Sequence, residues 1–368
     1  MQRANRVRIL APLAVLALVA SACGGGAATD TPTEGSATGP IGEGRTLVVT
    51  NWQDYGTDID WAVAAFEEAT GATVVHQYFN SEEELLSLMR EGGGAVDVAL
   101  PNIAYLQQAI AEDLVVPLDL ARLENADELS ADLLAQGDLR SGDDLYGVPW
   151  MWGSTALAYN TEAFPEGIDS WAALWDPANA GQVAFFDDPA TAVMTTALYL
   201  GQDPLDPDLD AVKAKLIELK ANTQLYWSSG DDWLRGFSTG AVTVGNLWSG
   251  LAGTQLGAGD PIAYVVPEEG AVGWLDTLTI VKGSENEDLA YAFIDWMISA
   301  EFQERWANDV ERSSPAPANA TVHAKLDPEV AGRVQSDPAA LSTLALMGSI
   351  PPETLSAWTE LWQEVKAS

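Results

Sequence analysis

Short apolar runs alternate with amphipathic stretches from Arg45 onward, and this alternation limits the possible folds of the chain more than any other feature. Three runs are predicted strands: RTLVV at 45–49, ATVVHQYF at 72–79 and VDVAL at 96–100. Each is followed by a predicted helix, at 58–71, 80–94 and 102–114. Strands separated by helices of this length predict βαβ units and a parallel sheet, and therefore an α/β fold.

Two local signals mark the ends of these helices. Gly71 follows the first helix, and glycine commonly ends a helix because it adopts the left-handed backbone without strain. Ser81 stands three residues before Glu84, which is the spacing of a capping box. The second helix is therefore predicted to begin just after Ser81.

The rest of the chain predicts a second set of strands and helices. Strands are predicted in GQVAFF and AVTVGNL, with helices around 192–200 and 209–221. A strand within 271–283, one helix over 289–307 and a C-terminal helix in 351–368 follow. Since a single core stops growing well before 368 residues, we expect two α/β lobes, with the chain crossing between them near 150 and 272.

The first 44 residues are predicted to be an export signal and a tether. Residues 1–22 combine a basic start with an apolar run too short to span a bilayer, which is typical of a signal peptide. The segment ending at Cys23 resembles a bacterial lipobox, so we expect Cys23 to be lipidated; an ordinary secretory signal is the alternative. Residues 23–44 are rich in Gly and Pro and predict a flexible tether. A single cysteine also excludes an intramolecular disulfide.

The charge and the motif content exclude several classes of function. A net charge of −37 makes nucleic acid and anionic lipid poor partners, whether the acidity reflects a solvated surface, adaptation to salt or attraction of cations. His76 and His323, placed in a strand and a loop, lack metal-ligand spacing, and there is no GxSxG, P-loop or GxGxxG motif. We therefore expect no enzyme, no cofactor and no metal site.

Aromatic, acidic and amide side chains follow four of the predicted strands. Ligands of open α/β sheets bind beyond the carboxyl ends of the strands, so these residues predict a binding cleft without a basic side chain. The candidates from this argument are Trp52, Gln53, Asp54, Tyr55, Asn102, Asp188 and Trp248. Alternative roles stay open for three of them: Asp188 as a helix cap before Pro189, Trp248 in core packing and Asp54 as a solvated turn acid.

Asp276 supplies a separate argument for a cationic ligand. Two-residue alternation along its strand puts Asp276 on one face with Trp274, Leu278 and Ile280. A carboxylate on an apolar face costs several kcal/mol of desolvation, roughly, unless it has a partner. An internal arginine or backbone amides could be that partner, but the neighbouring Trp274 favours a ligand ammonium group, which aromatic faces attract.

Several segments together resemble the spermidine/putrescine-binding proteins of ABC transporters. They are NWQDY at 51–55, Leu100-Pro101-Asn102, 149–160, DSWAALW at 169–175, Asp187-Asp188, Leu247-Trp248-Ser249-Gly250 and Trp274-Leu275-Asp276. The resemblance implies a two-lobed periplasmic-binding-protein fold of type II, with two hinge crossings and a cleft between the lobes. It implies lobe 1 at 45–152 and 273–310, and lobe 2 at 153–272 and 311–368.

The same resemblance assigns roles to the candidate residues. It implies an aromatic cage of Trp52, Tyr55, Trp248 and Trp274, ammonium partners at Asp188 and Asp276, and a polar wall at Asn102. A monomeric, lipid-anchored, extracytoplasmic receptor would deliver a putrescine- or spermidine-like amine to an ABC permease in the membrane.

The chain departs from the family pattern at Thr191, Leu251 and Ala104, where the family carries acidic or aromatic residues. A family glutamine also has no counterpart near Gly348. These departures leave a monoamine or an amino-acid-derived ligand as alternatives. Arg312, in a predicted loop, could fold in to meet a ligand carboxylate. A surface sensor lipoprotein and a hydrolase are further alternatives.

Overall fold

The computed structural model describes residues 40–92, 95–309, 314–348 and 350–368. Residues 40–368 form one compact unit with its own cores. The predicted signal peptide, Cys23, nearly all of the tether and Arg312 lie outside the described residues. None of the helices described is long and apolar enough to cross a membrane.

The first part of the chain follows the predicted alternation of strands and helices. Its elements are β1 (Thr46–Asn51), α1 (Asp60–Thr70), β2 (Thr73–Tyr78), α2 (Glu82–Glu91), β3 (Val98–Ala99), α3 (Ile103–Ala111), α4 (Ala131–Leu134), β4 (Arg140–Ser141) and β5 (Asp144–Leu145). Gly71 ends α1 with a left-handed backbone. The Ser81 side chain accepts a hydrogen bond from the Glu84 backbone N–H, and Glu84 in turn accepts from Asn80. Both predicted helix boundaries are therefore confirmed.

The second part contains the longest strands. Its elements up to residue 280 are β6 (Val148–Asn160), α5 (Ala172–Trp175), β7 (Val183–Phe186), α6 (Pro189–Tyr199), α7 (Leu209–Lys220), β8 (Thr223–Trp227), α8 (Gly230–Ser238), β9 (Val244–Trp248), α9 (Ser249–Ala258), β10 (Ile262–Val265) and β11 (Ala271–Ile280). The remaining elements are α10 (Glu287–Ile298), α11 (Ala300–Ala307), β12 (Ala316–Pro317), α12 (Ala320–His323), α13 (Pro328–Val334), β13 (Leu344–Leu346) and α14 (Pro352–Ala367).

Two predictions for this part were wrong. The single helix expected over 289–307 is two helices, because Ser299 has an extended backbone and caps α11 by accepting from the Phe302 N–H. His323 is the last residue of α12 rather than a loop residue, and its ring hydrogen-bonds the Ser336 hydroxyl at 2.8 Å.

The main sheet is mixed rather than wholly parallel. β2, β1 and β3 pair in parallel, as the βαβ pattern predicts, and so do β8, β7 and β9. Between these groups lie β11 and β6, which are antiparallel to each other and to their neighbours β3 and β9. The strand order β2-β1-β3-β11-β6-β9-β7-β8 makes β6 and β11 the two strands that join the parallel groups.

Each parallel group packs on its own large core, and β6 and β11 contribute to both. Trp150–Trp152 of β6 belong to the first core, with β1, α1, α10 and α11, whereas Ala156 and Leu157 belong to the second, with β7, α6 and α14. β11 changes core between Val272 and Leu275. At this crossing Gly153 pairs with Trp274, and Ser154 pairs with Gly273.

The pairing of β11 with β6 is irregular between Asp276 and Thr277. Leu275 and Leu278, which strict alternation would put on opposite faces, both contribute to the first core. The two-residue alternation used to assign the face of Asp276 is therefore interrupted at Asp276 itself. β-Bulges of this kind bend a strand and re-aim a side chain.

Candidate ligand-binding cleft

A buried asparagine builds the NWQDY turn that follows β1. The Asn51 side chain is fully buried, and its Nδ2 donates to the Tyr55 carbonyl at 2.7 Å and to the Thr57 hydroxyl at 3.0 Å. Its Oδ1 accepts from the Trp52 backbone N–H at 2.8 Å. These three bonds fix the path of the backbone from 51 to 57, because each satisfies a polar group inside the turn.

The turn adopts left-handed backbone at two positions. Asp54 has a φ of 59°, and its N–H donates to Asp58 Oδ2 at 2.8 Å. Gly56 has a φ of 79°, and a Cβ there would lie 2.4 Å from the Trp306 ring. Glycine is required at 56 for both reasons. Gln53 and Asp54 are exposed at the tip of the turn.

The turn directs Tyr55 toward Asp276. The Tyr55 ring packs edge-on against Trp150, at 5.3 Å between centroids, and against Trp306, at 5.9 Å. Its hydroxyl donates to Asp276 Oδ2 at 2.7 Å. Tyr55 and Asp276 are 221 residues apart in sequence, so this contact depends on the pairing of the sheet.

Asn102 holds the other oxygen of the same carboxylate. Asn102 is the N-cap of α3, where its Oδ1 accepts from the Ala104 N–H, and its Nδ2 donates to Asp276 Oδ1 at 3.0 Å. Asp276 is only 9% exposed. Burial raises the pKa of Asp276 to about 6, although the hydrogen bonds from Tyr55 and Asn102 favour its charged form.

Three further carboxylates come near this group. Glu82 and Glu83 lie in the first turn of α2, and Asp188 caps α6 on the second core. Burial, and then the charges of Asp276 and Glu83 among others, raise the pKa of Glu82 well above its ordinary value. Across residues 40–92, 95–309, 314–348 and 350–368, none of these four carboxylates has an ion-pair partner.

Glu82 and Glu83 were missed in the sequence analysis, although a signal for them existed. They follow β2, and the strand-end argument that selected the residues after β1 and β3 applies equally to β2. Ser81 and Glu84 were interpreted only as a helix cap, so the two acids between them received no functional assignment.

Asp188 has the capping role that the sequence left open. Its side chain accepts from the Thr191 N–H at 2.7 Å, and Pro189 occupies the first helical position. Burial raises the pKa of Asp188, with a further contribution from the negative charge of Glu83. Glu83 at the start of α2 and Asp188 at the start of α6 therefore lie within electrostatic reach of each other.

Two of the tryptophans pack on neighbouring aromatic rings. The Trp52 ring packs at a tilt of 58° against Phe79, with 4.5 Å between centroids, and Trp248 meets Phe186 at 4.9 Å and Trp227 at 4.8 Å. Both Trp52 and Trp248 remain partly exposed. Core packing, the alternative considered for Trp248, accounts for one side of its ring.

Trp274 covers the crossing of β6 and β11. A Cβ on Gly153 would lie 2.4 Å from the Trp274 ring, so glycine at 153 makes room for the indole. The Trp274 Nε1 is buried and has no hydrogen-bond partner among the described residues. The structure thus brings Tyr55, Asn102 and Asp276 into direct contact. Trp274 lies in the same strand as Asp276, two residues before it.

The positions that depart from the family pattern have ordinary surroundings. Thr191 is buried and donates its backbone N–H to Asp188. Ala104 is buried at the start of α3, and Leu251 packs against the aromatic cluster around Trp227. Asp187, beside Asp188, is occupied elsewhere, since it accepts from Trp362 Nε1 and Lys366 Nζ.

Among the described residues, Asp276 is a buried carboxylate with an aromatic neighbour and no basic partner, a combination whose chemistry suits a small organic cation. The sequence profile of a family described as bacterial extracellular solute-binding protein matches residues 61–341. The chain belongs to this family. It is a substrate-binding protein that acts outside the cytoplasm, and the family is not one of enzymes.

Curated relatives of this solute-binding protein carry related names. It is 28% identical over 295 residues to the spermidine/putrescine-binding periplasmic protein of Escherichia coli, covering 78% of this chain and 82% of that one. It is 27% identical over 343 residues to a putrescine/cadaverine-binding protein of Pseudomonas aeruginosa, covering 87% and 93%.

Solved structures of similar proteins show the fold. A putative spermidine/putrescine ABC transporter protein from Listeria monocytogenes superposes with a TM-score of 0.78 at 28% identity, covering 87% of this chain and 98% of that one. The substrate-binding protein PotD from Streptococcus pneumoniae gives 0.75 at 25% identity, covering 88% and 98%. The predicted two-lobed periplasmic-binding-protein fold is confirmed.

Proposed function

We propose that this protein captures a small organic amine with two or more ammonium groups, such as putrescine or spermidine, and delivers it to an ABC importer. Asp276 carries the proposal. It is a buried carboxylate, oriented by Tyr55 and Asn102, and no cationic side chain in the described part of the chain neutralises it. The names of the relatives from Escherichia coli and Pseudomonas aeruginosa support the same class of ligand.

The carboxylates favour a ligand with more than one charge. Asp188 caps α6, which packs on the second core, Asp276 lies on the crossing strand β11, and Glu82 lies within electrostatic reach of both. A single ammonium group at Asp276 leaves Asp188 without a counter-ion. An extended diamine would neutralise both, with Trp52, Tyr55, Trp248 and Trp274 as aromatic walls, each worth about 0.5–2 kcal/mol to an adjacent ammonium group.

Closure of two lobes is the proposed mechanism of capture. We assign 45–152 with 273–310 to lobe 1 and 153–272 with 311–368 to lobe 2. Ala316 and Ala318 contact the first core, so a later boundary than 310 fits their packing better. Hinge motion at the crossing of β6 and β11 would exclude water and strengthen each charged contact.

The proposed receptor is attached to the membrane by a lipid anchor. Lipidated Cys23, followed by the tether over 23–44, would hold a monomeric binding domain beside its permease in the membrane. No chemical step on the ligand is proposed.

A second candidate ligand is an amino-acid-derived amine. The Trp274 Nε1 is a buried donor that no described residue satisfies, and a ligand carbonyl or carboxylate could accept its hydrogen bond. Thr191 stands at a position where the family carries an acid. A ligand with fewer ammonium groups than a polyamine would not need that acid.

Calorimetric titration of residues 40–368 with putrescine, spermidine, butylamine and 4-aminobutyrate tests the proposal. Micromolar binding of a diamine, about −8 kcal/mol, with butylamine and 4-aminobutyrate at least tenfold weaker, is the expected result. If 4-aminobutyrate binds more strongly than putrescine and spermidine, the ligand is an amino-acid-derived amine rather than a polyamine. No heat from any of the four, in folded protein freed of bound ligand, would refute an amine receptor.

A further inference from the structure

Glu82 has a hydrogen bond that helix capping does not explain. The cap of α2 is Ser81, and Glu82 is the first residue of the helix. Its two carboxylate oxygens lie 3.3 and 3.4 Å from the backbone nitrogen of Asn102, which donates to them. Asn102 is itself an N-cap, so its N–H has no partner inside α3.

Asn102 connects Glu82 to Asp276. Its N–H donates to Glu82, its Oδ1 accepts from the Ala104 N–H and its Nδ2 donates to Asp276. Asn102 and Asp276 also form an isolated antiparallel bridge between their backbones. Both polar atoms of the Asn102 side chain therefore form hydrogen bonds. A shift of Glu82 would shift Asn102, and with it the Nδ2 that donates to Asp276 Oδ1.

The charged side chains that act on Glu82 within the described residues are all acidic. It is affected by the charges of Glu83 on α2, Asp188 on α6 and Asp276 on β11, and it in turn raises the pKa values of Tyr55 and Tyr105. Burial is the largest cause of its own raised pKa. The charge of Asp276 is the next cause after burial, so Glu82 lies within electrostatic reach of Asp276.

We propose that Glu82 is a positioning residue for Asp276: it fixes Asn102, and its charge determines how amine affinity changes with pH. The inference rests on the proposed amine-binding function. With the ligand absent, Glu82 takes up a proton at a pH well above its ordinary range, and Asp276 does so as the pH falls toward 6, the value to which burial raises its pKa. An incoming ammonium group displaces that proton, so affinity falls as pH is lowered.

Three variants separate the hydrogen bond from the charge. Glu82→Gln keeps an oxygen that accepts from the Asn102 N–H but removes the charge, whereas Glu82→Ala removes both. Glu91→Gln is the matched control, since Glu91 is an exposed acid at the other end of α2. Putrescine affinity of residues 40–368 would be measured by calorimetry from pH 5 to pH 8.

The expected results differ between the variants. Wild type and Glu91→Gln lose affinity below pH 7 with a limiting slope greater than tenfold per pH unit, because two carboxylates become protonated. In Glu82→Gln, putrescine affinity changes by no more than tenfold per pH unit. At high salt, which screens the lost charge, Glu82→Gln binds putrescine within about threefold of wild type. Glu82→Ala binds at least tenfold more weakly at pH 8. Equal affinities and equal pH slopes in all four proteins would overturn the inference.

A measurement without ligand keeps the inference distinct from the proposed function. The carboxyl ¹³C resonance of Asp276 would be followed against pH in the wild type, Glu82→Gln and Glu82→Ala. A higher Asp276 pKa in Glu82→Ala than in Glu82→Gln is expected even if no amine binds, because losing the acceptor of the Asn102 N–H displaces the Asn102 side chain, which donates to the charged form of Asp276. The same Asp276 titration in Glu82→Ala and in the wild type would contradict the link, whatever the calorimetry of the wild type shows.

Discussion

Replacement of Asp276 by asparagine should make the ligand-free protein more stable. Burial raises the pKa of Asp276 from the ordinary 3.8 to about 6. A carboxyl with a raised pKa in the folded state contributes full stability below the unfolded pKa, and stability falls as pH rises from about 4 to about 6. At pH 7.5 the whole penalty is present, and asparagine avoids it.

The magnitude follows from the size of the pKa change. A rise of about two pH units, at about 1.4 kcal/mol for each, gives about 3 kcal/mol. Asparagine cannot accept from both Tyr55 and Asn102 as well as a carboxylate does, and one poor hydrogen bond costs about 1 kcal/mol. The expected net gain is about 1–3 kcal/mol at pH 7.5, or a Tm increase of about 2–6 °C.

Thermal unfolding of residues 40–368 without ligand, at pH 7.5 and pH 3.5, measures this gain. Asp187→Asn is the control, because Asp187 accepts from Lys366 and Trp362 and its loss should lower the Tm. The gain from Asp276→Asn should disappear at pH 3.5, where Asp276 is protonated in wild type. A lower Tm for Asp276→Asn at pH 7.5 would refute the view that the buried charge of Asp276 destabilises the ligand-free protein.

The same substitution should weaken ligand binding while it stabilises the empty protein. Removing one partner of a buried charge pair costs about 2–5 kcal/mol, which corresponds to a loss of about 30- to 4,000-fold in putrescine affinity. Opposite signs for stability and affinity distinguish a binding residue from a structural one.

Three further substitutions test the supports of the site. Gly153→Ala should displace the Trp274 ring, which lies 2.4 Å from the added Cβ, and weaken putrescine binding about tenfold in calorimetry; unchanged affinity would contradict a wall role for Trp274. Tyr55→Phe should raise the pKa of Asp276 further, because a donor to its charged form is lost, so affinity should begin to fall at a higher pH; a midpoint moved downward would contradict this. Gly56→Ala would put a Cβ on a left-handed backbone and into contact with the Trp306 ring. It should therefore lower the free energy of unfolding, measured by urea denaturation, by about 2–4 kcal/mol. A loss below about 1 kcal/mol would refute this expectation.

The local fold was predictable wherever a short pattern determines it. The strands and helices from Arg45 to α3, the capping box at Ser81 and the end of α1 at Gly71 follow from residues close in sequence. The break at Ser299 was missed because apolar periodicity continues across it, whereas the cap depends on the backbone of one residue. The antiparallel pairing of β6 with β11 joins segments more than 100 residues apart, and alternation along the chain carries no information about it.

The candidate site was partly predictable for the same reason. Strand ends and an acid beside a tryptophan identified Tyr55, Asn102 and Asp276, which the structure brings into contact. The contact between Asn102 and Glu82 depends on how α2 and α3 pack, so only the position of Glu82 after a strand could have suggested it. Ligand contact stays a prediction for all nine candidate residues: Trp52, Gln53, Asp54, Tyr55, Asn102, Asp188, Trp248, Trp274 and Asp276.

The most direct test of the central claim is a crystal structure of residues 40–368 with putrescine. The account predicts one ammonium nitrogen within about 2.7–2.9 Å of an Asp276 carboxylate oxygen, with the alkyl chain between the aromatic walls and the second ammonium group near Asp188. Putrescine bound elsewhere, or bound in the cleft with Asp276 still contacting only Tyr55 and Asn102, would contradict it.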